Sequence, residues 1–135
     1  MEIVLSEEII CFETDCQIRS DGLYYLPNTT APFTGKNITK YENGQYKFEG
    51  RIKDGRKDGK WTQWHENGEI LSEINYKDGK KDGTSSLWVS GHKIHSVDFK
   101  DDKKHGKTIR LNEHGRIVGE SNWKDGECIS GDCPS

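Results

Sequence analysis

Apolar and polar residues alternate along most of the chain, and glycines interrupt the alternation at regular intervals. After Gly44 the even offsets carry Tyr46, Phe48 and Ile52; after Gly68 they carry Ile70, Ile74 and Tyr76. After Gly91 they carry Val97 and Phe99, and after Gly115 Ile117 and Trp123. The odd offsets are mostly Gln, Lys, Glu, Arg, Asn and Asp. A period of two with one apolar face predicts half-buried antiparallel strands. The last apolar column, Ile52, Tyr76, Phe99 and Trp123, is expected to stack along the sheet. The strands before these glycines are less clean. One column reads Lys40, Trp64, Leu87 and Leu111, and the other face reads Tyr41, His65, Trp88 and Asn112, with Trp61 nearby. Aromatics on both faces of a thin sheet cannot all be buried within it, so some are expected to meet a terminal segment, another protomer or a partner.

The glycines define a repeat. Eleven residues after Gly44, Gly68, Gly91 and Gly115 come Gly55, Gly79, Asp102 and Gly126, and four residues beyond the first three of these come Gly59, Gly83 and Gly106. Asn43-Gly44, Asn67-Gly68 and His114-Gly115 offer the positive-φ positions of hairpin turns, and Asp54-Gly55, Asp78-Gly79 and Asp125-Gly126 do so at the opposite edge. The stretches KDGRKDGK at 53–60 and KDGKKDG at 77–83 are then return loops between hairpins, repeated because the hairpin repeats. The organisation read from this is a capping segment at 1–20, a repeat domain at 21–127 and a tail at 128–135. The repeat domain divides into a partial unit at 21–34 and full units at 35–58, 59–82, 83–105 and 106–127. The third is one residue short and has Asp102 in place of the loop glycine, so a bulge or kink is expected there. The fold class is all-β: an elongated antiparallel meander of hairpins, a single-layer twisted sheet roughly 40 Å long at about 4.8 Å per strand. Ile3, Val4, Leu5, Ile9, Ile10 and Phe12 are available to cover its first end.

Composition supports a thin sheet over a thick core: 30% of the 135 residues are hydrophobic, 32% are charged, and 15 are glycine. The recurring aromatics argue against disorder. The net charge of −3 divides into −5 over residues 1–34, +3 over 35–127 and −1 in the tail. That is far from the strongly basic balance of a nucleic-acid binder, and no nucleic-acid partner is expected. The sequence has neither a long apolar run nor a basic-then-apolar leader. The default expectation is cytoplasmic, or exported if a signal has been trimmed.

Candidate chemistry is sparse. The pairs Cys11/Cys16 and Cys128/Cys133 leave three states open: free thiols, two local disulfides, or a four-cysteine zinc site across the sheet. His92 and His95 are three apart, which on a strand sends them to opposite faces. No nucleophile–base arrangement, paired carboxylates or phosphate loop stands out, so no enzymatic role, metal or cofactor is expected. Lys53, Arg56, Lys57, Lys77, Lys80, Lys81, Lys103 and Lys104 line one edge. They keep the loops wet or form an anion-binding ladder.

The stretch GKWTQWHENGEILSEINYKDGKKDG resembles the second type of MORN repeat (membrane occupation and recognition nexus) in its G-K-W start, E-N-G turn and Y-K-D-G exit. GLYYLPNTTAPFTG resembles the lead-in of bacterial YwqK-type proteins, described as antitoxins or immunity-like proteins. The resemblance covers 21–127 and implies a non-catalytic protein-binding module, with a toxin or effector as the expected partner. Tyr41, Trp61, Trp64, Trp88 and Phe99 are the candidate contact residues. The alternatives are binding to an anionic membrane surface, where interleaved aspartates cancel much of the field, and a self-associating scaffold such as a homodimer.

Overall fold

A computed structural model describes residues 9–12 and 15–135. Ile3, Val4 and Leu5 of the expected cap lie outside the described residues. The strands are β1 (Ile10–Phe12), β2 (Gln17–Ile18), β3 (Tyr24–Tyr25), β4 (Gly35–Lys40), β5 (Tyr46–Lys53), β6 (Arg56–Trp64) and β7 (Ile70–Lys77), followed by β8 (Lys80–Lys81), β9 (Gly83–Val89), β10 (His92–Lys100), β11 (Lys103–Leu111), β12 (Ile117–Lys124) and β13 (Glu127–Gly131). Eleven of them form one open sheet in the order β1-β4-β5-β6-β7-β9-β10-β11-β12-β13, with β8 also on β7. Its strands pair antiparallel in chain order, except that β1 lies parallel to β4. β2 and β3 form a small separate sheet. The architecture is the all-β meander of hairpins that the alternation implies.

The two edges turn by different means. At the return-loop edge both central residues have positive φ: Asp54 48° and Gly55 82°, Asp78 50° and Gly79 82°, Asp125 49° and Gly126 88°. These are the values of a two-residue type I′ turn. Asp101 at 48° and Asp102 at 68° keep the same turn without glycine, which the short polar side chain of Asp tolerates. At the other edge Gly44, Gly68 and Gly115 have positive φ, but Asn43, Asn67 and His114 do not. These loops are one residue longer: the Tyr41 N–H donates to the Gln45 carbonyl at 2.8 Å and the Gly44 N–H to the Tyr41 carbonyl at 3.0 Å. Only the last loop position then needs the left-handed conformation. Asn43 instead accepts the Gln45 N–H on its side-chain oxygen at 2.9 Å.

The residue missing from the third unit comes out of this second kind of loop. Ser90 and Gly91, at φ 49° and 79°, form a two-residue turn with Val89 opposite His92. The expected columns are therefore corrected. Trp88 pairs with Lys93 as Trp64 pairs with Ile70 and Leu111 with Ile117. Lys40, Trp64, Trp88 and Leu111 share one face, while Leu87 moves to the other. Each hairpin also carries one extra residue in its returning strand: Lys47, Leu71, Ile94 and Val118. Such bulges bend the strand and add twist.

Alternation divides the sheet into a front face, with Ile52, Trp61, Ile74, Val97 and Ser121, and a back face, with Ile38, Glu49, Thr62 and Glu73. The core sits on the front of the first hairpins, where Cys11, Phe33, Ile52 and Trp61 are buried with Cys16, Tyr24, Leu26 and Tyr76 against them. Ile9, Ile10 and Phe12 remain exposed. β1 covers the edge of β4 through its backbone, and the apolar cover comes from Tyr24, Leu26 and Phe33. Gly50 makes room for this core: a Cβ there would lie 2.0 Å from the Trp61 ring, whose Nε1 donates to the Arg51 carbonyl at 3.0 Å.

Each return loop also rests on the loop before it. The Gly55 N–H donates to the Phe33 carbonyl at 2.7 Å, and Gly79 to Lys57, Asp102 to Lys81 and Gly126 to Lys104, each at 2.9 Å. Phe33 thus occupies the position that Lys57, Lys81 and Lys104 occupy in later units.

Gly50→Ala is expected to lower stability by about 3 kcal/mol, the upper end of overpacking costs. Gly44→Ala, with open space around it but a left-handed backbone, is expected to cost about 1 kcal/mol. Urea denaturation of the two variants checks the order, and the reverse order would mean that Trp61 does not seat against Gly50.

Candidate binding face

The two faces arrange their charges differently. On the back, Lys36 pairs with Glu49 at 3.0 Å, Lys60 with Glu73 at 3.1 Å, and Lys107 with Glu120. In the third unit the Thr84 hydroxyl donates to Asp98 at 3.0 Å instead. On the front, the Lys57 ammonium stands 5.0 Å from the centre of the Tyr76 ring and 4.8 Å from that of Trp61. Lys81 stands 5.1 Å from Phe99, and Lys104 4.5 Å from Trp123. Among the described residues none of these three ammoniums has a carboxylate within 4.0 Å. Burial, and then the charge of Lys81, pulls the Lys57 pKa below its ordinary value.

The apolar column therefore does not stack ring on ring as expected. Tyr76 has Lys81 as its cross-strand neighbour, Phe99 has Gly83 and Lys104, and Trp123 has Gly106. A lysine stem and a glycine separate each ring from the next. The stem covers the ring while the ammonium stays near water, and the contact contributes about 0.5–1 kcal/mol at exposed sites.

Beyond the covered first hairpins the front face opens into a groove. Its first part, about 310 Å³, is lined by Gln63, Ser72, Ser85, Leu87, His95 and Val97. Val97 pairs with Thr108, and the floor continues into a recess of about 180 Å³ between Lys104, Thr108, Arg110, Ser121 and Trp123. Pro134 of the tail bounds that recess. The Ser85 Oγ and the Thr108 Oγ1 are buried and find no hydrogen-bond partner among the described residues. Arg110 lies across Gly119, where a Cβ would come within 2.8 Å of the guanidinium. Burial, then the charges of Lys104 and Arg110, holds the His95 pKa below its ordinary value. The groove thus combines small hydroxyl side chains with Lys81, Lys104 and Arg110; the recess also borders Glu120 and Asp132, whose carboxylates are taken by Lys107 and by the Glu120 N–H.

The five candidate contact residues do not form one patch. Trp61 is 7% exposed, within the core. Phe99 is on the front under Lys81, and Tyr41 is at the turn edge with its hydroxyl donating to the Trp64 carbonyl at 2.7 Å. Trp64 and Trp88 are on the back, Trp64 edge-on to Tyr46 at 5.9 Å and Trp88 under Lys93 at 5.2 Å. The basic set also divides. Lys53, Arg56, Lys77, Lys80 and Lys103 are exposed at the loop edge. Arg56, Lys77 and Lys80 there share a recess with Asp78, Asp82 and Asp101. Lys57, Lys81 and Lys104 turn onto the front. Cys11 is bonded to Cys16 and Cys128 to Cys133, each with Cα atoms 5.7 Å apart. The Asn37 amide donates to the Cys16 sulfur at 2.9 Å. Among the described residues no group of three His, Cys, Asp or Glu side chains is placed to hold a metal ion.

Sequence reasoning missed the groove floor. The signal lay two residues after each unit's first glycine, where Asn37, Trp61, Ser85 and Thr108 follow one another. The exchange of a large ring for small hydroxyl side chains after the second unit is what opens the face. The back-face pairs had a signal too, since each Glu follows its Lys by thirteen residues.

Residues 57–78, which span β6, its turn and β7, match the MORN repeat variant family. The other hairpins share the bulge and the loop-to-loop hydrogen bond of this one. No curated protein matches the chain.

His95 makes stability depend on pH in a defined direction. Its folded pKa lies below the unfolded value of about 6.5, so the unfolded chain binds more protons in that window and stability falls as pH drops through it. His95→Gln is expected to reduce the loss of stability between about pH 7.5 and about pH 5. Urea midpoints of the two proteins at both pH values check this, and an undiminished loss in the variant would place the titration elsewhere.

Proposed function

We propose that this chain is a non-catalytic protein-binding module and that its partner docks on the front face. The observation that carries this reading is the sorting of charge. On the back, Lys36, Lys60 and Lys107 pair with glutamates, while Lys40 and Lys93 near the turn edge stand over rings. On the front, none of Lys57, Lys81 and Lys104 has a carboxylate partner among the described residues, and they flank an open floor. A repeat sheet whose two faces differ in this way is suited to recognition. The MORN repeat variant at 57–78 supports a repeat protein of this kind. The finer form of the reading is an antitoxin- or immunity-like protein that occludes a toxin or effector. Its support is the resemblance of GLYYLPNTTAPFTG to the lead-in of YwqK-type proteins. The mixed charge of the loop edge, with Asp78, Asp82 and Asp101 among Arg56, Lys77 and Lys80, weighs against attraction of that edge to an anionic membrane.

Leu87 and Trp88 provide the test. They are adjacent in β9, and their side chains leave opposite faces. Leu87 is 40% exposed on the front. With the purified chain as bait in an extract of its native cell, one protein is expected in stoichiometric amount. Leu87→Glu should lose it with an unchanged melting temperature, while Trp88→Ala should keep it. Loss with Trp88→Ala alone would move the partner to the back face. Recovery of the bait alone would overturn the binding-module reading.

A further inference from the structure

The groove on the front face has a length, a charge and a recessed floor that together describe its occupant. We propose that it takes an acidic, extended polypeptide segment, laid along the sheet axis with carboxylates against Lys81, Lys104 and Arg110. This rests on the binding-module reading and names the chemistry of the partner.

Charge complementarity sets the sign. Lys81 and Lys104 reach the groove with their ammoniums over Phe99 and Trp123 and no carboxylate within 4.0 Å among the described residues. Arg110 makes no salt bridge there either. His95 lines the same groove, and burial first, then the charges of Lys104 and Arg110, disfavours its charged form.

Spacing sets the shape. Lys57, Lys81 and Lys104 come from successive hairpins, about 9.6 Å apart at two strands per step. A polyproline II segment rises about 3.1 Å per residue with about three residues per turn, so acidic residues about three apart would lie on one side and meet successive lysines. The floor leaves room for a main chain, because Ser85 and Thr108 stand where Trp61 fills the front in the second unit. A bilayer surface is a poorer occupant, because the floor is recessed between Lys81, Lys104 and Arg110 and the exposed edge carries aspartates among its lysines.

Fluorescein-labelled octaglutamate is the probe, titrated with the full chain and followed by fluorescence anisotropy at low ionic strength. Saturable binding that weakens with added salt is expected. The triple variant Lys81→Gln, Lys104→Gln, Arg110→Gln should bind about tenfold more weakly, from about 0.5 kcal/mol per charge contact. The back-face triple Lys36→Gln, Lys60→Gln, Lys107→Gln, which removes the same number of charges, should bind as the parent does. Leu87→Glu removes no lysine from a ring and should also weaken binding, which separates loss of the site from loosening of the sheet. Equal weakening in both triples would overturn the proposal, as would tighter binding to phosphatidylserine vesicles or to an eight-nucleotide oligothymidylate than to octaglutamate. If octaglutamate does not bind while the chain captures a protein that Leu87→Glu loses, the acidic-segment inference falls and the binding module stands. If both fail, both fall.

Discussion

The architecture depends on one repeated hydrogen bond, from the second residue of each return loop to a backbone carbonyl in the loop before it. Gly55, Gly79, Asp102 and Gly126 donate in turn to Phe33, Lys57, Lys81 and Lys104. The donor is free to do so because a type I′ turn sets both its central residues at positive φ. The chain meets that requirement with Asp-Gly at three of the turns and with Asp101-Asp102 at the other. A meander has no helix layer to hold its hairpins in register, so a loop-to-loop bond at every step restricts slippage between units. Stability in such an array comes from nearest neighbours.

From that bond follows the difference between the two ends of the front face. The carbonyl it reaches belongs to a residue whose side chain lies on the front, over the next column position. In the first step that residue is Phe33, and over Ile52 it helps close a core with Cys11 and Trp61. In the later steps it is Lys57, Lys81 and Lys104, over Tyr76, Phe99 and Trp123. The same backbone device thus makes a sealed core where the residue is apolar and a wet, charged surface where it is lysine. Trp61 reinforces the boundary, since it fills the front over Gly50 while its counterparts Ser85 and Thr108 leave the floor low.

The hairpins, their edges and the all-β class were legible because turn chemistry is local. Asn-Gly and Asp-Gly announce positive φ without reference to the rest of the fold. The columns were less legible because strand alternation passes any deletion on to every later residue: placing the missing residue before Leu87 instead of at Ser90-Gly91 exchanged the faces of Leu87 and Trp88. The ring column was misread for a related reason. Offsets along the sequence align Tyr76, Phe99 and Trp123, yet one strand of the sheet lies between the members of each successive pair. What lies between them is set by the register, which interposes Lys81 and Lys104. The groove floor escaped notice because serine and threonine on a strand look like solvent-facing residues until the neighbouring columns are known.

A single-layer sheet has to satisfy two faces with few apolar residues, and this chain does so by making them unequal. On the back, diagonal Lys–Glu pairs neutralise charge and cover the strands with aliphatic stems. Exposed pairs of this kind contribute little stability each, but they balance the charge of Lys36, Lys60 and Lys107. The front is covered at its first end by residues 24–33. At its far end Asp132 bonds back to Glu120 through its backbone N–H, at 2.8 Å, and through its side chain, and the Cys128–Cys133 bond closes the last turn. Between them Lys81 and Lys104 cannot pair as the lysines on the back do, because the diagonal positions that hold Glu on the back hold Ile74 and Val97 on the front. The apolar positions around them keep carboxylates away from these ammoniums, and the middle of the front face is left with positive charge unpaired among the described residues.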